Sequence, residues 1–89
     1  MIHIYAYGPD LEKKLTRVLS MMSDGDMLLL VGDGVLNAES PLLEGRCVFA
    51  LDADLAARGL GDRILGLEVI GMARMVDLIA SDASDPITW

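Results

Sequence analysis

Apolar positions along this chain come in two rhythms, and the rhythms alternate. Residues 27–31, Met-Leu-Leu-Leu-Val, and 47–51, Cys-Val-Phe-Ala-Leu, are apolar at every position, the mark of strands covered on both faces in a parallel sheet. Residues 2–7 are rich in β-branched and aromatic side chains and are closed by Gly8 and Pro9, which predicts a first strand. Between these runs Leu11, Leu15, Val18, Leu19 and Met22 fall at i, i+4, i+7, i+8 and i+11, the single stripe of an amphipathic helix. Pro9 suits the first position of that helix, because its missing N–H has no intrahelical partner there. Gly25 supplies a left-handed stop.

After the second run, Gly32 and Gly34 break the strand, and Pro41 and Gly45 keep any helix beginning at Val35 short or irregular. Asp52 is placed to cap a two-turn helix that stops at Gly59, with Asp54 and Arg58 at i, i+4 spacing. A loop over residues 61–66 leads to a weaker fourth strand, 67–70. The last helix then carries Met72, Met75, Val76 and Ile79 on one face, and residues 81–89 read as a polar tail containing Pro86. Strands that alternate with helices imply right-handed βαβ crossovers. The expected structure is one small α/β domain spanning residues 1–89. Its four-stranded parallel sheet has strands near 2–7, 26–32, 47–51 and 67–70, in the order 2-1-3-4, with helices on both faces.

Composition narrows the function classes. At 89 residues and 53% apolar, with one Trp, two Tyr and one Phe, the core must be aliphatic and small, near the size at which partners help to stabilise a domain. The net charge is −7, from 14 acidic and 7 basic residues. The basic residues are scattered except for Lys13, Lys14 and Arg17, so direct contact with a nucleic-acid backbone is not expected. No apolar run approaches the roughly 18 residues that span a bilayer, and the first residues lack the features of a secretory signal. One cysteine cannot form an internal disulfide, which fits a cytoplasmic protein.

Candidate chemistry is sparse. Cys47 is the one sulfur nucleophile, and a persulfide carrier is the sharpest use for it. However, it opens an apolar strand at the amino edge of the sheet, whereas ligand sites in this architecture gather at the carboxyl edge. Arg46 would point to the opposite face from it. A buried core cysteine is therefore the expectation. His3 shares a face with Tyr5 and Tyr7; it has no second His and no evident acidic partner in sequence, which favours a structural or interface role over proton transfer. Metal binding through His3 and Cys47 would need ligands that the sequence does not supply. Gly32-x-Gly34 has Asn37 where a dinucleotide fingerprint needs its third glycine. Asp52-x-Asp54 opens like a calcium loop, but the glycine falls at position eight and Arg63 stands at position twelve. No cofactor or metal is expected. Met72, Met75 and Trp89 offer apolar area that one small sheet does not need, so with His3 they are the candidates for an interface.

Several short motifs can be read together: Met1-x-His3, Asp33-Gly34-Val35 after a Leu-rich strand, Asp54-Leu55-x-x-Arg58-Gly59-Leu60 after the third strand, Val76-Asp77-Leu78 in the last helix, and Trp89. In this order the set resembles the TusB/DsrH family over nearly the full length. The resemblance implies a small, non-catalytic subunit of a TusBCD- or DsrEFH-like sulfur-relay complex, in which the carrier cysteine belongs to a D- or E-type partner. It also implies D/E-type and C/F-type partners, or self-association. Some DsrH members carry a cysteine in the first helix; residues 10–22 have none, which tilts the resemblance toward the TusB side and 2-thiouridine formation in tRNA. The alternatives are a DsrH-type role in sulfur oxidation and a stand-alone sulfurtransferase using Cys47.

Overall fold

The Leu28-Leu29-Leu30 run is almost completely withdrawn from solvent, and the rest of the molecule is arranged to make that possible. The computed structural model describes residues 1–60 and 67–89; the loop expected over 61–66 lies outside the described residues. Five parallel strands form one sheet: β1 (Ile2–Tyr5), β2 (Met27–Leu30), β3 (Val48–Leu51), β4 (Glu68–Ile70) and β5 (Ile87–Thr88). Their spatial order is β4-β3-β2-β1-β5. Register is continuous across the centre, with His3 beside Leu28 and Leu28 beside Val48.

The α/β class, the parallel pairing and the four expected strands all hold. The order 2-1-3-4 does not. It would have left β2 at an edge, yet β2 is apolar at every position and needs a strand on each side as well as cover on each face. In the observed order the edges fall to β4 and β5, which are short and whose residues are exposed apart from Ile70. The polar tail is not a tail: Ile87 and Thr88 pair with His3 and Ile4 as the fifth strand. Two residues after a proline are too few to register as a strand by pattern.

Strand order also fixes which face each connection covers. From β1 to β2 to β3 to β4 the chain steps in one direction, so right-handed crossovers put all three connections on the same face. These are α1 (Glu12–Met21), two 3-10 turns (Gly32–Asn37 and Pro41–Leu43), and α2 (Asp52–Ala57). The step from β4 back to β5 runs the other way, which places α3 (Met72–Ser81) alone on the opposite face. The two apolar clusters agree. One joins Tyr5, Leu28, Leu30, Val48 and Ala50 to α1 and α2; the other joins Ile2, Leu29, Phe49 and Ile70 to Met75, Leu78 and Ile79 of α3.

Three local expectations shift. Pro9–Leu11 forms a 3-10 turn before α1, which rotates Leu11 out of the helical stripe and leaves it 43% exposed. α1 ends at Met21, with Met22 as its extended C-terminal cap, and Gly25 (φ 89°) serves the turn that follows. Asp52 is the first residue of α2 rather than its cap: Leu51 holds that place, and the Asp52 carboxylate accepts from the next N–H, Ala53, at 2.6 Å.

Candidate functional site

At the carboxyl edge of the sheet, where ligands of parallel α/β proteins sit, loops after β1, β2 and β3 converge. Gly34 lets the second loop press against the first: a Cβ there would lie 2.1 Å from the Tyr5 carbonyl oxygen. Buried Asn37 ties the same loops together, its Nδ2 donating to the Tyr7 carbonyl at 2.8 Å and the Gly34 carbonyl at 3.0 Å. Arg58 donates from Nη2 and Nε to Asp33 Oδ1 at 2.8 and 3.2 Å and from Nη1 to the Asp54 carbonyl at 3.0 Å. Asp54 in turn accepts from the Gly32 N–H at 2.7 Å. Thus the residues of Asp33-Gly34-Val35 and Asp54-Leu55-x-x-Arg58, read as two motifs, form one structure. It locks α2 to the β2 loop. None of these side chains is a thiol or hydroxyl, both aspartates are engaged in hydrogen bonds, and their charge disfavours an anionic ligand.

The amino edge holds His3 and Cys47. His3 is 2% exposed and bonded on both ring nitrogens. Nε2 lies 2.9 Å from Asp26 Oδ2, and Nδ1 lies 3.1 Å from the Trp89 indole Nε1, with the two rings stacked at 6.1 Å. Because an indole N–H only donates and a carboxylate only accepts, Nδ1 carries the lone pair and Nε2 the proton. The His3 bond chiefly holds the Asp26 carboxyl at about 2, below its ordinary 3.8, aided by the Ser23 N–H at 3.0 Å. The acidic partner of His3 went unseen in the sequence because it lies 23 residues away. Its one signal was an aspartate immediately before the β2 run.

Cys47 is exposed, not buried. The strand begins one residue later, at Val48, and Cys47 belongs to the turn that feeds it. Its main chain is engaged, the carbonyl accepting from the Leu28 N–H at 3.0 Å. It opens onto a shallow groove shared with Ser23, Asp24, Asp26 and Arg46. Arg46 does not serve the thiol: its Nη1 donates to the Leu19 carbonyl at 3.3 Å.

α3 separates residues that the sequence grouped. Met75 turns inward with Leu78 and Ile79 onto its own sheet, whereas Met72 and Val76 point outward, 56% and 54% exposed. His3 and Trp89 are engaged with each other. Among the described residues no three His, Cys, Asp or Glu side chains are grouped to hold a metal ion, and no helix is long and apolar enough to cross a membrane.

These features define a small parallel α/β domain whose carboxyl edge is bridged by Asp33, Asp54 and Arg58. Residues 7–84 match the family model described as DsrH like protein, and the chain belongs to that family. Among solved structures it is similar to the solution structure of protein Tm0979 from Thermotoga maritima, with a TM-score of 0.69 and 26% identity, covering 92% of this chain and 94% of that one. The comparison with curated proteins finds no match.

Proposed function

We propose that the protein is a non-catalytic accessory subunit of a cytoplasmic sulfur-relay complex that passes persulfide sulfur toward 2-thiouridine at the tRNA wobble position. The observation that carries this reading is the separation of the two edges. The carboxyl edge is filled by Asp33, Asp54 and Arg58, while the one thiol lies at the opposite edge in a groove with Asp24 and Asp26. Sulfur is then carried by a D- or E-type partner, and this chain supplies surface. The outer side of α3, with Met72 and Val76, is the surface that fits a D/E-type or C/F-type neighbour. The −7 charge argues against tRNA contact by this chain itself.

The exposure of Cys47 favours one other reading, a stand-alone sulfurtransferase that carries the persulfide on that thiol. Intact-mass measurement after incubation with a cysteine desulfurase or a small persulfide donor separates the two. The accessory role predicts an unchanged mass. A stoichiometric gain of one sulfur, reversed by reductant and absent from Cys47→Ser, would replace it with the second reading. A DsrH-type place in sulfur oxidation shares the accessory role and differs in the final acceptor.

A further inference from the structure

We propose that His3 is the proton-sensitive pin of a latch: a proton taken up at Nδ1 ejects the Trp89 indole and frees β5 from the edge of the sheet. This inference does not depend on the sulfur-relay reading.

Three observations combine. First, the donor and acceptor pattern around the ring permits one state only. Trp89 Nε1–H points at Nδ1 from 3.1 Å and Asp26 accepts at Nε2 from 2.9 Å. An imidazolium would set two N–H groups against each other at Nδ1, while its bond to Asp26 would survive. The side that must give way is therefore the indole. Second, the ring is 2% exposed, so it cannot turn to solvent to escape the conflict; the cover over it has to move. Third, that cover is the least anchored strand of the sheet. β5 is two residues long, both exposed, paired with β1 only at His3↔Ile87 and Ile4↔Thr88, plus a Trp89 N–H bond to the Ile4 carbonyl at 2.9 Å. Short edge strands open at low cost.

The charged and titratable groups around the pin are few. Asp26 holds Nε2, and the Met1 amino group lies 3.3 Å from Asp26 and 3.8 Å from Asp82. Tyr5 follows on the same face of β1, and Arg46 and Cys47 share a groove with Asp26. Lys13, Lys14 and Arg17 share another with the indole. Release would uncover an unpaired β1 edge beside that basic groove, a place where another strand could add.

Trp89 is the one tryptophan of the chain, so its fluorescence reports the latch directly. Emission and acrylamide quenching are followed from about pH 7.5 to 4.5, the range in which an imidazole titrates. Asp26, held at about 2, stays ionised throughout. The expected result is a one-proton red shift and a several-fold rise in quenching, with the far-ultraviolet circular dichroism unchanged. In His3→Gln the amide can accept from the indole and donate to Asp26 without titrating, so the emission should stay blue across the range. A constant wild-type emission, or the same transition in His3→Gln, overturns the latch. Should His3→Gln fail to fold, nitrogen NMR of the wild-type imidazole decides. The Nε2–H tautomer with a protected indole N–H at pH 7.5, and loss of that protection as the ring protonates, supports it. A protonated ring with the indole still docked overturns it.

Discussion

The two faces of the sheet are built to different standards. The face under α1, the 3-10 turns and α2 is sealed: Tyr5, Val18, Leu28, Leu30, Val35, Ala50 and Leu55 are all 0% exposed. The opposite face has one ten-residue helix, α3, none of whose residues is fully buried. Strand order is the cause, since three crossovers step one way and only one steps back. α3 still covers the strand residues beneath it, with Ile2, Leu29 and Ile70 only 2 to 5% exposed, so the open part of this side is the outer surface of the helix itself, where Met72 and Val76 face solvent.

That contrast can be broken most sharply through the sealed side. Gly34→Ala would place a methyl 2.1 Å from the Tyr5 carbonyl oxygen, a backbone clash with no flexible side chain to yield. It should cost at least about 4 kcal/mol or prevent folding, seen as loss of the cooperative denaturation curve. Leu28→Ala, beneath α1, should cost about 3 kcal/mol. Met75→Ala, on the inner side of α3, should cost about 1 kcal/mol because the side chain is only partly buried. Urea midpoints for the pair measure the difference; equal losses would mean the faces are equally sealed.

Much of this contrast was legible in the residues. The apolar runs at 27–31 and 47–51 announced two-sided strands, and the stripe Leu15, Val18, Leu19 announced the α1 face. Strand order was not legible, because periodicity says which residues are buried and not which strand lies beside which. Cys47 was misplaced for a smaller reason: the strand starts one residue later, and one residue at a strand end decides between core and turn. The His3, Asp26 and Trp89 constellation joins positions as far as 86 residues apart, which no local pattern encodes. Arg58 and Asp54 were visible as an i, i+4 pair, but the closer partner of Arg58 is Asp33, 25 residues away.

At the amino edge, pH provides a gentler test. The Asp26 carboxyl is depressed to about 2 from an ordinary 3.8, chiefly by the His3 bond. The stability it contributes is therefore complete above its unfolded value and is lost as pH falls through about 2. Asp26→Asn should lower stability across the neutral range, where that contribution is complete, and flatten the acid limb so that variant and wild type converge as pH falls through about 2, as followed by circular dichroism. At the carboxyl edge the effect should be smaller still. Asp33 is 66% exposed in its pair with Arg58, so Arg58→Ala should cost no more than about 1 kcal/mol, and less at high salt.

The accessory role rests on the thin face meeting a partner. Light scattering on the full chain, alone and mixed with D/E-type and C/F-type relay subunits, tests this most directly. A discrete complex should form, and the paired changes Met72→Asp and Val76→Asp should weaken it at least tenfold while leaving the isolated chain's urea midpoint nearly unchanged, as exposed positions allow. A wild-type chain that keeps its own mass in the presence of both subunits would contradict the accessory role.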